Sequence, residues 1–343
     1  MRSPVTAVTA GALCIASSAI VMQLAGSSAV AAALFRCLFA LPVLGVLARR
    51  AQRRGVPIMA ARSRWTARGA GVLLSVDLVM WSHSISAVGA GLATVLGNLQ
   101  VVILAGLAWA IFGERPRRSL VLALPLLILG VVLVAGLIGH RSIGHSPVAG
   151  VVYGAVASVL YSGYILVLRH AMPPAPPTSS APPAGPAPVT ARLSGADLLG
   201  RGSAVVQPLY QATIGATITS AVLALVLPGF HIGPLWPALG WLAVLALTSQ
   251  VIGWLLISAS LSRLPAGLLG ALLLVQPVGA VALGALVLGQ YPSLTQLAGV
   301  LLVVVGVLVA TSGPRQAPAR VPAQAPARVL GRPAEPVLAG RVE

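Results

Sequence analysis

The chain has 343 residues, of which 57% are hydrophobic and only 8% are charged, and its mean hydropathy is +0.96. One water-soluble core cannot hold that much apolar surface, so the composition excludes an ordinary globular protein and predicts one that uses lipid as its solvent. The formal net charge is +17, yet the arginines lie in short bursts between apolar runs. This arrangement indicates membrane topology, and no nucleic-acid partner is expected.

Ten apolar segments are long enough to cross a hydrocarbon core of about 30 Å as helices. In chain order they are 5–25, 28–48, 69–88, 91–112, 119–138, 148–169, 205–227, 238–261, 265–288 and 293–312. Their unbroken apolar runs favour helices over the short alternating segments of a β-barrel. The first segment is expected to be a retained helix and not a cleaved signal peptide. The predicted fold class is an all-α membrane protein with ten transmembrane helices.

Two segments are too rich in proline to span the membrane. A proline-rich linker covers 173–204, with its prolines between 173 and 190, and a tail of Pro, Ala and Arg covers 313–343. Both are expected to be disordered and cytoplasmic. The predicted domains are therefore a first half at 1–138, a second half at 139–312 that contains the linker, and the tail.

The arginines also predict the orientation of the chain. With a cytoplasmic N-terminus, the arginines from Arg49 to Arg68, those from Arg115 to Arg118 and those of the tail all lie inside, while Arg141 lies outside. Cytoplasmic loops of membrane proteins are enriched in arginine and lysine in this way. The sequence thus predicts a multi-pass plasma-membrane protein with both termini in the cytoplasm.

A shift of 176 residues aligns the third to fifth segments with the eighth to tenth without a gap. The paired positions carry the same Ser, Gly, Gln or Pro: Ser82 and Ser258, Ser84 and Ser260, Ser86 and Ser262, Gly91 and Gly267, Gln100 and Gln276, Gly113 and Gly289, Pro116 and Pro292, Gly130 and Gly306. Because the shift spans five helices, an odd number, the two halves enter the membrane in opposite senses. The sequence predicts two inverted five-helix repeats, an arrangement that permits alternating access around a central site.

The fourth segment closes with a short motif, Gly113-Glu114-Arg115 followed by Pro116. Together with the Phe35-Arg36 step in the second segment, this motif resembles the EamA-type transporters of the drug/metabolite transporter superfamily. The resemblance implies ten helices in two repeats, cytoplasmic termini, and export of amino acids, metabolites or drugs, often by proton exchange or facilitated diffusion. Within it, Glu114 and Arg115 are interpreted as an interfacial anchor that fixes helix packing.

The chain departs from the pattern of that superfamily at three places. Its first helix lacks a Trp-Gly step, Gln290 stands where glutamate is frequent in the second half, and the linker before the seventh segment is long. These differences concern the substrate and the coupling ion and leave the expected fold unchanged.

Two charged side chains lie well inside predicted helices, Arg36 in the second segment and Asp77 in the third. An ionised group in hydrocarbon is costly, so it needs a partner or a water-filled cavity. We expect Arg36 and Asp77 to face the same cavity. Two interpretations stay open: a static ion pair that locks two helices, or a functional pair in which Asp77 takes up a proton or Arg36 holds a substrate carboxylate.

The other candidate residues for substrate binding or coupling are aromatic, imidazole or amide side chains inside predicted helices. They are Trp81, His83, Asn98, Gln100, Tyr161, Tyr164, Trp254 and Gln276. Each has a structural alternative, because a tryptophan also packs, a histidine near a helix end often binds at the interface, and amides join helices. The spacing of His and Cys predicts no metal site, and no cofactor motif is recognisable.

The sequence predicts a secondary transporter that exports a small metabolite, amino acid or drug-like compound, and not an enzyme. Its expected partners are a small-molecule substrate, the lipid bilayer and protons, and the chain is expected to work as a monomer or homodimer. A carrier of lipid-linked or nucleotide sugars is an alternative, although it would need more cavity arginines than Arg36. A membrane-embedded lipid- or sugar-handling enzyme would need clustered acids, whereas the five acidic residues are scattered.

Overall fold

The structure is a computed structural model that describes residues 4–112, 118–134, 146–171, 203–232, 235–260, 272–273 and 275–311. Within these ranges the regular elements are helices, which confirms the all-α class. The helices belong to one compact unit, Met1–Ser312. The motif from Gly113 to Pro116, Arg141, residues 173–202 of the predicted linker and the tail lie outside the described residues.

Helices follow one another with short breaks along the described part of the first half. They are α1 (Pro4–Ala16), α2 (Ser18–Ala25), α3 (Ala29–Arg53), α4 (Ala61–Val88), α5 (Ala90–Gly97), α6 (Gln100–Phe112) and α7 (Arg118–Val134). The described part of the second half continues with α8 (Pro147–Ala171), α9 (Ser203–Val226), α10 (Leu235–Leu245), a π-helix (Ala246–Gly253), α11 (Trp254–Ser260), α12 (Val275–Leu288) and α13 (Leu294–Thr311).

Six helical spans in the described residues are long and apolar enough to cross a membrane, judged by length and composition. They are Val5–Ala25, Ala29–Arg53, Ala61–Val88, Pro147–Leu168, Val206–Val226 and Trp236–Ile257. Three shorter apolar helices accompany them: Val121–Val134, Val275–Leu288 and Leu294–Val309. A chain with this many apolar helices needs a bilayer around it.

The helix breaks in the first half follow from local sequence. Gly26 ends α2 in the left-handed conformation, with φ 57°, which glycine adopts without a steric penalty. Ser28 then caps α3, because its side chain accepts a hydrogen bond from the backbone N–H of Ala31 at 3.3 Å. Gly89, with φ 89°, separates α4 from α5. These breaks divide the apolar sequence into the helices that pack around the centre.

The outer surface of the helix bundle is apolar and its interior is built largely from small residues. Leu225, Trp236 and Leu286 are 88%, 82% and 81% exposed, an exposure that suits hydrocarbon and not water. Alanines, serines and glycines fill many of the buried positions. In a bilayer, lipid tails compete with apolar side chains for helix surfaces, so close packing of small residues holds the helices together.

Helices α4 and α9 approach each other backbone to backbone at two glycines. A Cβ atom at Gly71 would overlap the carbonyl oxygen of Ala212, and a Cβ atom at Gly215 would overlap the carbonyl oxygen of Arg68. A similar crossing joins α7 to α13, where a Cβ atom at Gly299 would lie 2.7 Å from the carbonyl oxygen of Gly130. Glycine is thus required at the points where the helices cross.

The stripe of Gly150, Gly154 and Ser158 on α8 also serves packing inside the chain. A Cβ atom at Gly150 would overlap the side chain of Val88, and one at Gly154 would lie 3.0 Å from the Cβ atom of Leu96. The hydroxyl of Ser158 donates to the carbonyl oxygen of Leu96 at 3.1 Å. The small residues therefore let α8 pack closely against α4 and α5.

We predict that Gly71→Ala destabilises the protein because its new methyl group has no room between α4 and α9. The expected cost is about 1–3 kcal/mol, as for other overpacked interiors. Gly69→Ala, two residues earlier on the same helix, is the matched control, since a Cβ atom there meets no atom within 4 Å. Thermal unfolding in detergent should show a lower midpoint temperature for Gly71→Ala than for the parent. The midpoint of Gly69→Ala should equal that of the parent. Equal midpoints for the two variants would contradict the close crossing.

Candidate functional site

A buried arginine on α3 forms the centre of the candidate site. Arg36 is 8% exposed, and its side chain donates two hydrogen bonds to residues of the π-helix. Its Nε donates to Oε1 of Gln250 at 3.1 Å, and its terminal Nη2 donates to the hydroxyl oxygen of Ser249 at 3.1 Å. Both acceptors are neutral, so the positive charge is solvated by these contacts and not cancelled by them.

The π-helix explains how two consecutive residues bind one guanidinium. On an α-helix, neighbouring side chains diverge by about 100°. A π-helix has more residues in each turn, which reduces that angle, and π-helical segments are frequent at functional sites. Ser249 and Gln250 are 0% and 2% exposed. Both polar side chains are therefore directed inward, where they bind Arg36.

Acidic and aromatic side chains surround Arg36 on its other sides. Asp77 of α4 is 7% exposed, and Tyr164 of α8 is 1% exposed. Asp77, Tyr161 and Tyr164 are all near enough to Arg36 to interact with it electrostatically. The rings of Tyr161 and Tyr164 lie 5.6 Å apart. Among the described residues, the site thus combines a buried cation, a buried carboxyl group, the buried phenol of Tyr164 and the half-buried phenol of Tyr161.

Trp81 completes one wall of this site. The Cζ atom of Arg36 lies 6.0 Å from the centroid of the Trp81 ring, at the outer limit of a cation–π contact. Trp81 is half-buried and also packs against the largest apolar cluster of the bundle. It lies one helical turn after Asp77 on α4, so both side chains face the same side of that helix.

Arg36 and Asp77 are near enough to interact electrostatically, but they are not joined by a hydrogen bond among the described residues. Of the described residues, Ser249 and Gln250, and not Asp77, accept hydrogen bonds from Arg36. The arginine is therefore tied to the second half of the chain, while its electrostatic neighbour Asp77 belongs to the first. This arrangement differs from a closed ion pair that simply locks α3 to α4.

His83 and Asn98 lie apart from the cluster around Arg36. His83 is exposed on the outer surface of α4, where its ring lies 5.3 Å from the ring of Tyr153. Asn98 stands at the break between α5 and α6, and its amide donates to the carbonyl oxygen of Thr94 at 2.8 Å. The contact of Asn98 is local and stabilises the end of α5.

The remaining predicted residues are spread over three helices. Gln100 begins α6, and its backbone oxygen accepts a hydrogen bond from the hydroxyl of Ser162 at 3.3 Å. Gln276 is half-buried near the start of α12. Trp254 packs against an apolar cluster that includes Ala40 and Leu44 of α3. The structure thus collects Arg36, Asp77, Trp81, Tyr161 and Tyr164 and places the other candidates elsewhere.

Sequence reasoning missed Ser249 and Gln250, the two residues that hold Arg36. A signal for them was present, because Thr248-Ser249-Gln250 is a run of three polar residues inside the apolar span Trp236–Ile257. A buried polar group in a membrane helix needs a partner, so such a run marks a contact with another helix. Its partner lies 214 residues away in the chain.

We predict a strong energetic coupling between Arg36 and Gln250. Gln250→Leu alone should destabilise the protein by about 1.5–3 kcal/mol, because it leaves a buried charged donor without its acceptor. In the double variant Arg36→Met/Gln250→Leu both partners are replaced by apolar groups, so most of that loss should be recovered. Unfolding titrations in mixed micelles give the free energies for this double-mutant cycle.

The matched control is Gln296→Leu, which removes an equally buried glutamine whose amide donates to the carbonyl oxygen of Val134. Its effect should add to that of Arg36→Met within about 0.5 kcal/mol, because the two residues share no partner. Additive effects for Arg36 and Gln250 as well would contradict the contact between α3 and the π-helix.

Comparison with known proteins shows which family the chain resembles. The model of the EamA-like transporter family matches residues 2–136 and 198–312. Comparison with curated proteins finds no significant match. A solved structure described as "Crystal structure of protein" is 19% identical, covers 91% of this chain and 99% of its own, and has a TM-score of 0.54.

At that identity, the likeness to the solved structure concerns the fold alone. The family match carries more information, because its two stretches include most of the helices described above and the residues Arg36, Asp77, Ser249 and Gln250. With its apolar helices, the protein is a multi-pass membrane protein, and the chain belongs to the EamA-like transporter family.

Proposed function

We propose that this protein is a secondary transporter that exports a small metabolite, amino acid or drug-like compound by alternating access around Arg36. The observation that carries the proposal is a buried guanidinium held by neutral acceptors of the other half of the chain. A charge retained in hydrocarbon without a closed ion pair is the typical mark of a substrate or ion pathway.

The chemistry of the site fits a polar substrate with an anionic group. A guanidinium has five N–H donors, and Ser249 and Gln250 account for two of them. The others suit a carboxylate, which a guanidinium binds through two parallel hydrogen bonds. Asp77 supplies an exchangeable proton, and Tyr161 with Trp81 supplies aromatic surface against which an organic substrate packs.

Helix packing supports two inverted five-helix repeats within this transporter. The ordinals below, from first to tenth, refer to the ten apolar segments predicted from the sequence. The third segment (α4) packs on the sixth (α8), and its repeat counterpart, the eighth (α10, the π-helix and α11), packs on the first (α1 and α2). The second packs on the seventh (α3 on α9), the fourth on the ninth (α5 on α12) and the fifth on the tenth (α7 on α13).

Exchanging every segment for its counterpart leaves this set of packed pairs unchanged. Such a self-consistent pattern is what a two-fold relation between the halves requires. The family match, which falls in two separate stretches, is also in keeping with two related halves. With both halves in one chain, the central site is complete in a monomer, although a homodimer is compatible with it.

We propose that the protein lies in the plasma membrane with both termini in the cytoplasm. The break between α2 and α3 and the loop after α9 lie at one face, since the backbone N–H of Ser28 donates to the carbonyl oxygen of His231 at 3.0 Å. We assign this face to the outside. The turn between α3 and α4, with Arg53, Arg54 and Arg62, then lies in the cytoplasm, as the positive-inside rule requires.

Two other functions are less well supported by the site. A carrier of nucleotide sugars or lipid-linked sugars would bind several phosphates, whereas the cluster around Arg36 contains one arginine among the residues that the structure describes. An enzyme would use acids gathered near one membrane face, whereas Asp77 is the acidic residue of this cluster and Glu114 is far from it in the sequence.

We predict that Asp77→Asn abolishes proton coupling and leaves substrate binding intact. The amide keeps the size of the side chain and cannot ionise to release or take up a proton near neutral pH, while the facing groups Arg36, Tyr161 and Tyr164 stay in place. Efflux or uptake of labelled amino acids and organic cations by proteoliposomes should respond to a pH gradient in the parent. In Asp77→Asn the rate should fall to that of vesicles without a gradient.

The matched control for that experiment is Ser75→Ala, two residues earlier on α4. The hydroxyl of Ser75 is buried and hydrogen-bonded to Ser220 at 2.8 Å, so its loss tests general damage to this helix. Transport by Ser75→Ala should keep the response to pH. An unchanged response in Asp77→Asn would remove Asp77 from coupling, and a lack of transport for every probe would contradict the transporter itself.

We predict that the loops at residues 58 and 230 react from opposite sides of the membrane. Five segments of the proposed topology separate them, an odd number. Ile58 and Phe230 are 70% and 39% exposed, so cysteines at these positions are accessible. In a Cys14→Ala/Cys37→Ala background, a membrane-impermeant thiol reagent should modify Phe230→Cys in intact cells and Ile58→Cys after permeabilisation. Reaction of both from one side would contradict the inverted topology.

A further inference from the structure

A glutamine outside the central site joins three helix ends from both halves of the chain. The Oε1 atom of Gln290 accepts a hydrogen bond from the backbone N–H of Ala90 at 3.0 Å, and its Nε2 donates to Oε1 of Gln23 at 2.9 Å. Its own backbone N–H donates to the carbonyl oxygen of Gly284 at 3.0 Å. Gln290 therefore ties the end of α12 to the end of α2 and to the start of α5.

The contact with Ala90 satisfies a donor that a helix leaves unpaired. Ala90 is the first residue of α5, and the first N–H groups of a helix have no acceptor within that helix. The preceding Gly89, with φ 89°, has no side chain that can cap α5. The second half of the chain thus supplies, through Gln290, the cap for a helix of the first half.

Helices α5 and α12 pack closely beside Gln290. A Cβ atom at Gly91 would lie 2.8 Å from the Cα atom of Val281, so α5 and α12 are in backbone contact beside the glutamine. The cavity left there, lined by Val88, Gly284 and neighbouring residues, holds about 10 Å³, room for about one water molecule.

We propose that Gln290 is a positioning residue that locks one gate of the transporter, at the face where α2, α4 and α12 end. This inference rests on the proposed alternating access and adds the residue that holds one side closed. When the halves move apart at this face, the hydrogen bonds from Ala90 and to Gln23 break together, and a path to Arg36 opens.

The exposure of this contact suits a lock that must open in every cycle. Gln23 is exposed and Gln290 half-buried, so water replaces the broken hydrogen bonds at little cost. Gln296, in contrast, is 1% exposed and joins α13 to the carbonyl oxygen of Val134 on α7. Breaking that buried contact would leave polar groups unsatisfied, so α7 and α13 move as one body.

The test measures how readily a reagent reaches the centre from the Gln290 face. Ser249→Cys, in a Cys14→Ala/Cys37→Ala background, places a thiol of nearly the same size beside Arg36. Oriented proteoliposomes are treated from one side or the other with a cationic, membrane-impermeant methanethiosulfonate. Gln290→Leu should speed the reaction from the Gln290 face about fivefold to tenfold, the shift expected when two interhelical hydrogen bonds are lost. The reaction from the opposite face should become slower.

Two further variants separate a lock from a merely structural contact. Gln290→Glu keeps an acceptor for Ala90, and the amide of Gln23 can turn to donate to the carboxylate, so this variant should react at the rate of the parent. Gln296→Leu removes a buried glutamine six residues later in the chain and should leave the rate from either face unchanged. An unchanged rate in Gln290→Leu, or an equal increase in Gln296→Leu, would overturn the proposal.

The same experiment distinguishes failure of the lock from failure of the transporter. If the Ser249→Cys thiol reacts slowly from both faces in the parent and Gln290→Leu changes neither rate, the lock is wrong and alternating access stands. If the thiol reacts from neither face in any variant, although detergent-unfolded protein is fully modified, the central site is not reached from water and both proposals fail.

Discussion

The architecture depends on one constraint, the cost of keeping a charged guanidinium in hydrocarbon. Arg36 meets that constraint through Ser249 and Gln250, which lie on the π-helix in the other half of the chain. Two neutral acceptors reduce the cost of burial without cancelling the charge. The arginine is therefore held in a defined position and keeps its positive charge.

Close helix packing gives this polar centre a rigid frame. Glycines at the crossings of α4 with α9 and of α7 with α13 bring backbones into contact, and small residues on α8 do the same against α4 and α5. In lipid such packing replaces the hydrophobic effect as the force between helices. Groups of helices that pack closely within themselves, and contact other groups through a few polar side chains, can move as units.

Polar contacts between the halves differ in how deeply they are buried in the protein. At the centre, Arg36 is buried and its contacts with Ser249 and Gln250 are shielded from water, so they specify how α3 meets the π-helix. Near one face, Gln290 makes contacts that are partly exposed and that water can replace. The proposed alternating access would use contacts of both kinds, because the faces must open while the centre stays in place.

The sequence by itself determined the membrane character, the all-helical class and the family, because apolar length, arginine placement and the motif at Gly113 are local signals. It also marked Arg36, Asp77, Trp81 and Tyr161 as candidates, since charges and aromatic groups inside apolar segments are visible in one chain. Tertiary structure decided which of these meet, placing His83 on the surface and giving Asn98 a local partner. It also revealed Ser249 and Gln250, because a π-helical turn and a contact across 214 residues depend on how distant helices pack and leave no period in the sequence.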